Sequence, residues 1–355
     1  MNFIKSALPL FLALGAIAGC SSTSSVSVNE DDVKEEVPPE IAQLARDCNA
    51  DDGTSCFYLG VRYERGQGIK QDNSKAITYY EKSCSMNVKE GCFNAGFLYA
   101  NGRGARQDYS KASTYYEKAC NMNDGAGCVE LGVLYYNGHG VKQNYSKTII
   151  YFEKACSMDS NDGCYNLGFL YDEGKVVKQD YKKAKNYYEK VCSLNHGSGC
   201  LNLGGLYDNG RGVKQDYRKA NAYYEKACSL KEGFGCRNLG NSYLDGQGVK
   251  RDYSKANDYY EKACNMNDGG GCLYLGNSYA KGRGIKQDNS KANTYYDKAC
   301  NLNNGSGCLN LGNSYYDGTG VRQNKTTAKW YYGKACDYGN QTGCDNYRIV
   351  NEQGY

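Results

Sequence analysis

Eighteen of the nineteen cysteines in this 355-residue chain recur with one period. Cys48, Cys84, Cys120, Cys156, Cys192, Cys228, Cys264, Cys300 and Cys336 stand 36 residues apart. A second set, Cys56, Cys92, Cys128, Cys164, Cys200, Cys236, Cys272, Cys308 and Cys344, lies eight residues behind each of them. A fixed period of about 20 to 50 residues marks a stack of repeats rather than one enzyme-like core. An even number of cysteines in such order implies disulfides, and hence an oxidising compartment.

One repeat shows what the period encodes. From Gly199 the chain reads GCLNLGGLYDNG, then RGVKQDY, then RKANAYYEKAC. Leu203, Leu206 and Tyr207 recur at helical spacing, and Gly210 stands where a helix C-terminus takes a left-handed residue. Gly212 lets the chain turn, with Val213 as a buried plug. Asp216 is an N-cap for a second helix, and the position is Asp or Asn in all eight units: Asp72, Asp108, Asn144, Asp180, Asp216, Asp252, Asp288 and Asn324. The second helix carries its apolar stripe at Tyr217, Ala220, Tyr224 and Ala227, with Glu225 and Lys226 facing water. Gly204 recurs in every unit. A mid-helix glycine costs about 1 kcal/mol against alanine, so it is expected to admit an alanine or tyrosine of a neighbouring helix. Val176 replaces the second loop glycine in one unit and predicts a local change of loop shape.

The fold expected is therefore all-α, an α/α superhelical solenoid of 36-residue, disulfide-stapled helix hairpins. Residues 38–53 read as an N-terminal capping helix, 54–342 as eight hairpins and 343–355 as a C-terminal capping helix, since a solenoid must cover its apolar ends. Two regular pairings fit the cysteines, at eight residues or at 28. Pairing at 28 strands Cys48 and Cys344, whereas pairing at eight uses all eighteen. Each short bond would then close a seven-residue polar loop such as 121–127 and contribute roughly 2.5 kcal/mol in the chain-entropy model.

The remaining cysteine, Cys20, ends an export signal at 1–19: Lys5 gives the charge, Ala7 to Ala18 an apolar stretch too short to span a bilayer. Small residues before the cysteine resemble a bacterial lipobox, which makes Cys20 the lipidated residue. Residues 20–37, serine-rich and then acidic, read as a tether. The expected location is an outer-membrane lipoprotein or the periplasm, or a secreted protein, touching the membrane only through the lipid. A net charge of +4 with interleaved signs leaves no basic face for nucleic acid. Two histidines and paired thiols leave no metal site, and no cofactor is expected.

The consensus Gly-Cys-x-Asn-Leu-Gly-x-Leu-Tyr-x-x-Gly-x-Gly-Val-x-Gln-Asp-Tyr-x-Lys-Ala-x-x-Tyr-Tyr-Glu-Lys-Ala-Cys resembles the Sel1-like repeats, relatives of the tetratricopeptide solenoids. In its disulfide-stapled form it is similar to the Helicobacter cysteine-rich proteins. The resemblance covers about residues 38 to 350. It implies a right-handed superhelix with a concave face, secretion, disulfides between cysteines eight apart, and a scaffold for protein interactions. It also implies the label of β-lactamase or penicillin-binding protein that such members carry.

Two function classes are compatible with these residues. As a binding scaffold, expected to be monomeric, the chain would take a peptide or protein in a groove lined by the first helices. Its asparagines are Asn94, Asn166, Asn202, Asn238, Asn241, Asn277, Asn310 and Asn313, whose amides suit an extended backbone; without a ligand they would only solvate the groove. Val61, Phe97, Val133 and Phe169 make the N-terminal half more apolar. As an enzyme or receptor, the chain would bind or hydrolyse a β-lactam or hold a cell-wall fragment. Serine enzymes of that class need Ser-x-x-Lys together with Ser-Asp-Asn and Lys-Thr-Gly. Only Ser278 to Lys281 fits the first, and its neighbours read Ser242-Tyr-Leu-Asp245 and Ser314-Tyr-Tyr-Asp317, so no catalytic residue is assigned.

Overall fold

The computed structural model describes residues 38–355; the signal-like stretch 1–19, Cys20 and the tether 20–37 lie outside the described residues. Within them, all regular structure is helical and divides into two compact units, 38–179 and 180–355.

The first unit holds α1 (Pro39–Asn49), α2 (Gly53–Arg65), α3 (Asn73–Ser85), α4 (Lys89–Asn101), α5 (Tyr109–Asn121), α6 (Gly125–Asn137), α7 (Tyr145–Ser157) and α8 (Asn161–Glu173). Helices α2 and α3, α4 and α5, and α6 and α7 pair as hairpins, and each second helix packs on the next first helix. Asp72, Asp108 and Asn144 cap the second helices by accepting from backbone N–H groups of the first turn, which otherwise lack partners. The first helices end at Gly66, Gly102 and Gly138 in the left-handed conformation. The loop glutamines then fold back. Gln71, Gln107 and Gln143 donate from Nε2 to the carbonyls of Glu64, Ala100 and Tyr136 at 2.7, 2.8 and 2.8 Å, satisfying helix ends. Val176 takes no positive φ, unlike the second loop glycine of its neighbours.

The second unit repeats this plan with α9 (Tyr181–Ser193), α10 (Gly197–Asn209), α11 (Tyr217–Ser229), α12 (Gly233–Asp245), α13 (Tyr253–Asn265), α14 (Gly269–Lys281), α15 (Asn289–Asn301), α16 (Gly305–Asp317), α17 (Lys325–Asp337) and α18 (Gln341–Glu352). Its hairpins are α10 with α11, α12 with α13, α14 with α15, and α16 with α17. Buried Asn221, Asn257 and Asn293 tie α11, α13 and α15 to the following repeat. Their Nδ2 groups donate to the carbonyls of Gln247, Arg283 and Thr319 at 2.7, 2.8 and 2.8 Å.

The mid-helix glycine is explained by a tyrosine ring of its own hairpin partner. A methyl group on Gly204 would lie 2.7 Å from Tyr224 Cδ1 and Cε1. In α18, the last of the described helices, the equivalent position is Arg348.

Among the described residues nine disulfides join cysteines eight apart, with Cα atoms 4.5 to 4.6 Å from each other. The segment they close is not the seven-residue loop expected. Only Met122 to Asp124 connects α5 to α6, and the cysteines lie inside the flanking helical turns. Asn123 at φ 61° makes that reversal, its N–H bonding to the Cys120 carbonyl at 3.1 Å and the Asp124 N–H to the Ala119 carbonyl at 3.0 Å. Val213 is half-buried rather than buried.

Glu225 is exposed as expected, whereas its counterpart in the first unit, Glu81, has partners. Half-buried Glu81 accepts at Oε1 from the hydroxyls of Tyr99 and Tyr115, at 2.9 and 2.7 Å. Those two rings stack with centroids 5.9 Å apart, and Lys111 lies 4.8 Å above Tyr99. Stacked tyrosines bridge hairpin partners in the second unit too, as in Tyr243 with Tyr259 and Tyr279 with Tyr295.

Candidate functional site

In every second helix except α7, which has Phe152, the inner position is a tyrosine. Where the first helix of the same unit pairs with it, its ring crosses the hairpin over the glycine and carries the hydroxyl toward the first helices. In the second unit Tyr260 donates to Asn241 Oδ1 at 2.8 Å, Tyr296 to Asn277 Oδ1 at 2.9 Å and Tyr332 to Asn313 Oδ1 at 2.9 Å. An asparagine of the next repeat lies beside each hydroxyl and eases its ionisation: Asn238 at Tyr224, Asn310 at Tyr296 and Asn346 at Tyr332. Asn310 also reaches Asn277 Oδ1 at 3.2 Å. Tyr224 donates to Asp208 Oδ2 at 3.2 Å. In the first unit Tyr80 donates to Glu64 Oε2 at 2.8 Å, with Asn94 beside its hydroxyl.

Burial pushes the hydroxyl ionisation of Tyr80, Tyr224 and Tyr260 far up, with a nearby carboxylate adding to it in Tyr80 and Tyr224 and Tyr274 in Tyr260. Tyr332 is pushed up to about 12, by burial first and by Asp317 second. These hydroxyls are neutral donors at any ordinary pH.

The asparagines named from sequence thus divide by geometry. Half-buried Asn241, Asn277 and Asn313 use their carbonyl oxygens inward, and their amide N–H groups make no hydrogen bond within the described residues. Asn94 and Asn238 lie beside the tyrosine hydroxyls, and Asn310 donates to Asn277, which leaves its own amide oxygen as a complementary acceptor. Asn202 is half-buried as well. Asn166 is fully buried, with no exposed surface, and so is not a surface residue. In the first unit the position of Asn241 is taken by buried Val61 and Phe169 and half-buried Phe97 and Val133. The tyrosine hydroxyls are what sequence reasoning missed. The available signal was tyrosine rather than phenylalanine at this core position in all repeats except the one with Phe152.

Ser278, the serine of the Ser-x-x-Lys match, is buried and forms no hydrogen bond to Lys281 or to any other titratable side chain within the described residues. Among the described residues no three His, Cys, Asp or Glu side chains gather as a metal site.

Comparison with known proteins agrees with the periodicity. The family profile of the Sel1 repeat matches eight times, at residues 53–88, 89–124, 125–160, 161–196, 197–231, 234–268, 270–304 and 305–340. No curated protein matches the chain. Among solved structures it is similar to c5321, a protective antigen of uropathogenic Escherichia coli strains with an SLR fold, at 25% identity and a TM-score of 0.71; the match covers 88% of this chain and 67% of that one. It is also similar to a Sel1 repeat protein from Oxalobacter formigenes, at 22% identity and a TM-score of 0.73, covering 92% and 98%. Helicobacter pylori cysteine rich protein B matches at 42% identity over 38% of this chain and 98% of its own, with a TM-score of 0.32.

Proposed function

This chain belongs to the Sel1 repeat family, and from that premise we propose that it is an exported, disulfide-built scaffold that binds extended peptide segments along the first helices of its second unit. A Sel1 repeat scaffold typically serves protein–protein interaction, and its nine disulfides point to an oxidising, extracytoplasmic environment. No described helix is long and apolar enough to cross a membrane.

One observation carries the peptide reading. Asn241, Asn277 and Asn313 repeat every 36 residues with amide donors that the fold does not consume, and the Asn310 amide oxygen stands beside them as an acceptor. A peptide backbone offers the complementary carbonyls and N–H groups. Because each asparagine is already held by a tyrosine, little side-chain entropy is lost on binding.

The test is the double variant Asn277→Val and Asn313→Val, which places at both positions a residue that Val61 and Val133 already represent. Binding of degenerate peptide mixtures should weaken about ten-fold or more, the worth of one or two hydrogen bonds, with helicity by circular dichroism unchanged. Unchanged binding by a folded variant rejects the peptide reading. Export and a lipid on Cys20 belong to the same proposal: Cys20→Ala should move the protein from the membrane fraction to the soluble one.

A further inference from the structure

Arg237 departs from the repeat at a position where the other first helices that open a hairpin carry Phe57, Phe93, Val129, Tyr165, Leu201, Leu273 and Leu309. Its surroundings are altered to receive it. Gly270 is the one member of its own position without a side chain, and a methyl group there would lie 2.9 Å from Arg237 Nη1. Phe234 lies under the guanidinium, 4.9 Å from ring centroid to Cζ. Asp268, which caps α14 by accepting from the Gly270 N–H, stands 2.8 Å from Arg237 Nε. That contact is an ion pair without in-line hydrogen-bond geometry. Within the described residues neither terminal nitrogen of the guanidinium has a hydrogen-bond acceptor, and the side chain is 25% exposed while that of Asp268 is 6% exposed. Arg237 and Asn241 are four apart and share one face of α12.

The fold does not demand this arrangement. The next junction along the unit is built with Leu273 and Asn304 instead, and a buried ion pair is seldom more stabilising than well-packed apolar residues. A guanidinium steadied along its Nε edge by a carboxylate presents its other edge as a planar, two-pronged donor for a second carboxylate.

We propose that Arg237, positioned by Asp268 and Phe234 over Gly270, binds a carboxylate of the peptide ligand, so that the second unit selects acidic segments. The proposal rests on the peptide reading above, and its test separates the two. The probes are two acetylated, amidated heptapeptide mixtures, degenerate except for a central Glu in one and Gln in the other. Each is titrated by fluorescence anisotropy into the full disulfide-bonded chain. The Glu mixture should bind roughly ten-fold or more tightly than the Gln mixture, the size of one charge-assisted hydrogen bond. The double variant Arg237→Leu and Asp268→Asn recreates the pair used at the following junction, so it should fold, and it should erase the difference between the two mixtures.

Equal affinity for both mixtures, or a preference that survives this variant, overturns the carboxylate site. If the preference is erased as expected but Asn277→Val with Asn313→Val changes nothing, the carboxylate site stands and the asparagine reading falls. Binding of neither mixture overturns both.

Discussion

Lys231 sits at φ 65°, where the other reversals between second and first helices use Asp51, Asn87, Asn123, Asp159, Asn195, Asn267 and Asn303, or Gly339. A lysine backbone resists that conformation more than an asparagine does. Lys231→Asn should therefore stabilise the chain by about 1 kcal/mol, read as a higher melting temperature. Two adjacent glycines make a sharper test. A methyl group on Gly204 would lie 2.7 Å from the Tyr224 ring, whereas one on Gly205 would meet nothing within 4 Å. Gly204→Ala gains helix propensity but must displace a buried ring, with a net loss of about 1–2 kcal/mol. Gly205→Ala keeps only the gain, about 1 kcal/mol. Denaturant melts of the two variants should move in opposite directions, and a common direction would contradict the close packing described for the hairpin.

Helix boundaries were readable because neighbouring residues spell them: Asp216 caps the helix after it, and Gly210 ends the helix before it. The connection between α5 and α6 was not. Gly125 and Gly127 look like loop residues in sequence, yet both are helical, and Gly127 is small because Ala119 Cβ lies 2.8 Å from where its methyl would be. The disulfide pulls two helix ends together there, and the demand for small residues comes from across the junction. The tyrosine–asparagine bonds were hidden for a similar reason, since Tyr296, Asn277 and Asn310 come from three different helices. Disulfides should secure each junction locally. Replacing Cys264 and Cys272 together by serine should cost about 2.5 kcal/mol, with the fastest new amide exchange in α13 and α14.

Within each unit the molecule is a chain of nearest-neighbour contacts, so its pH response is the sum of many similar sites. Buried tyrosines dominate at high pH. Their folded-state ionisation lies above the ordinary value of 10, to about 12 for Tyr331 and Tyr332 and higher for Tyr80, Tyr116, Tyr224 and Tyr260, with burial the first cause in each. The folded state therefore holds protons that the unfolded chain releases near pH 10. Stability is complete below that pH and falls as pH rises through the folded values. Absorbance at 295 nm should show exposed tyrosines ionising gradually and the buried set together with loss of helicity; a single smooth titration centred near 10, with the helices intact, would contradict the burial. Arg348 bears on how such an array is lengthened. A hairpin partner grafted behind α18 would have to lay its aromatic ring on a backbone that now carries a long cationic side chain. Designed extensions should accordingly be spliced in upstream, for example between α15 and α16, or begin by restoring glycine at 348.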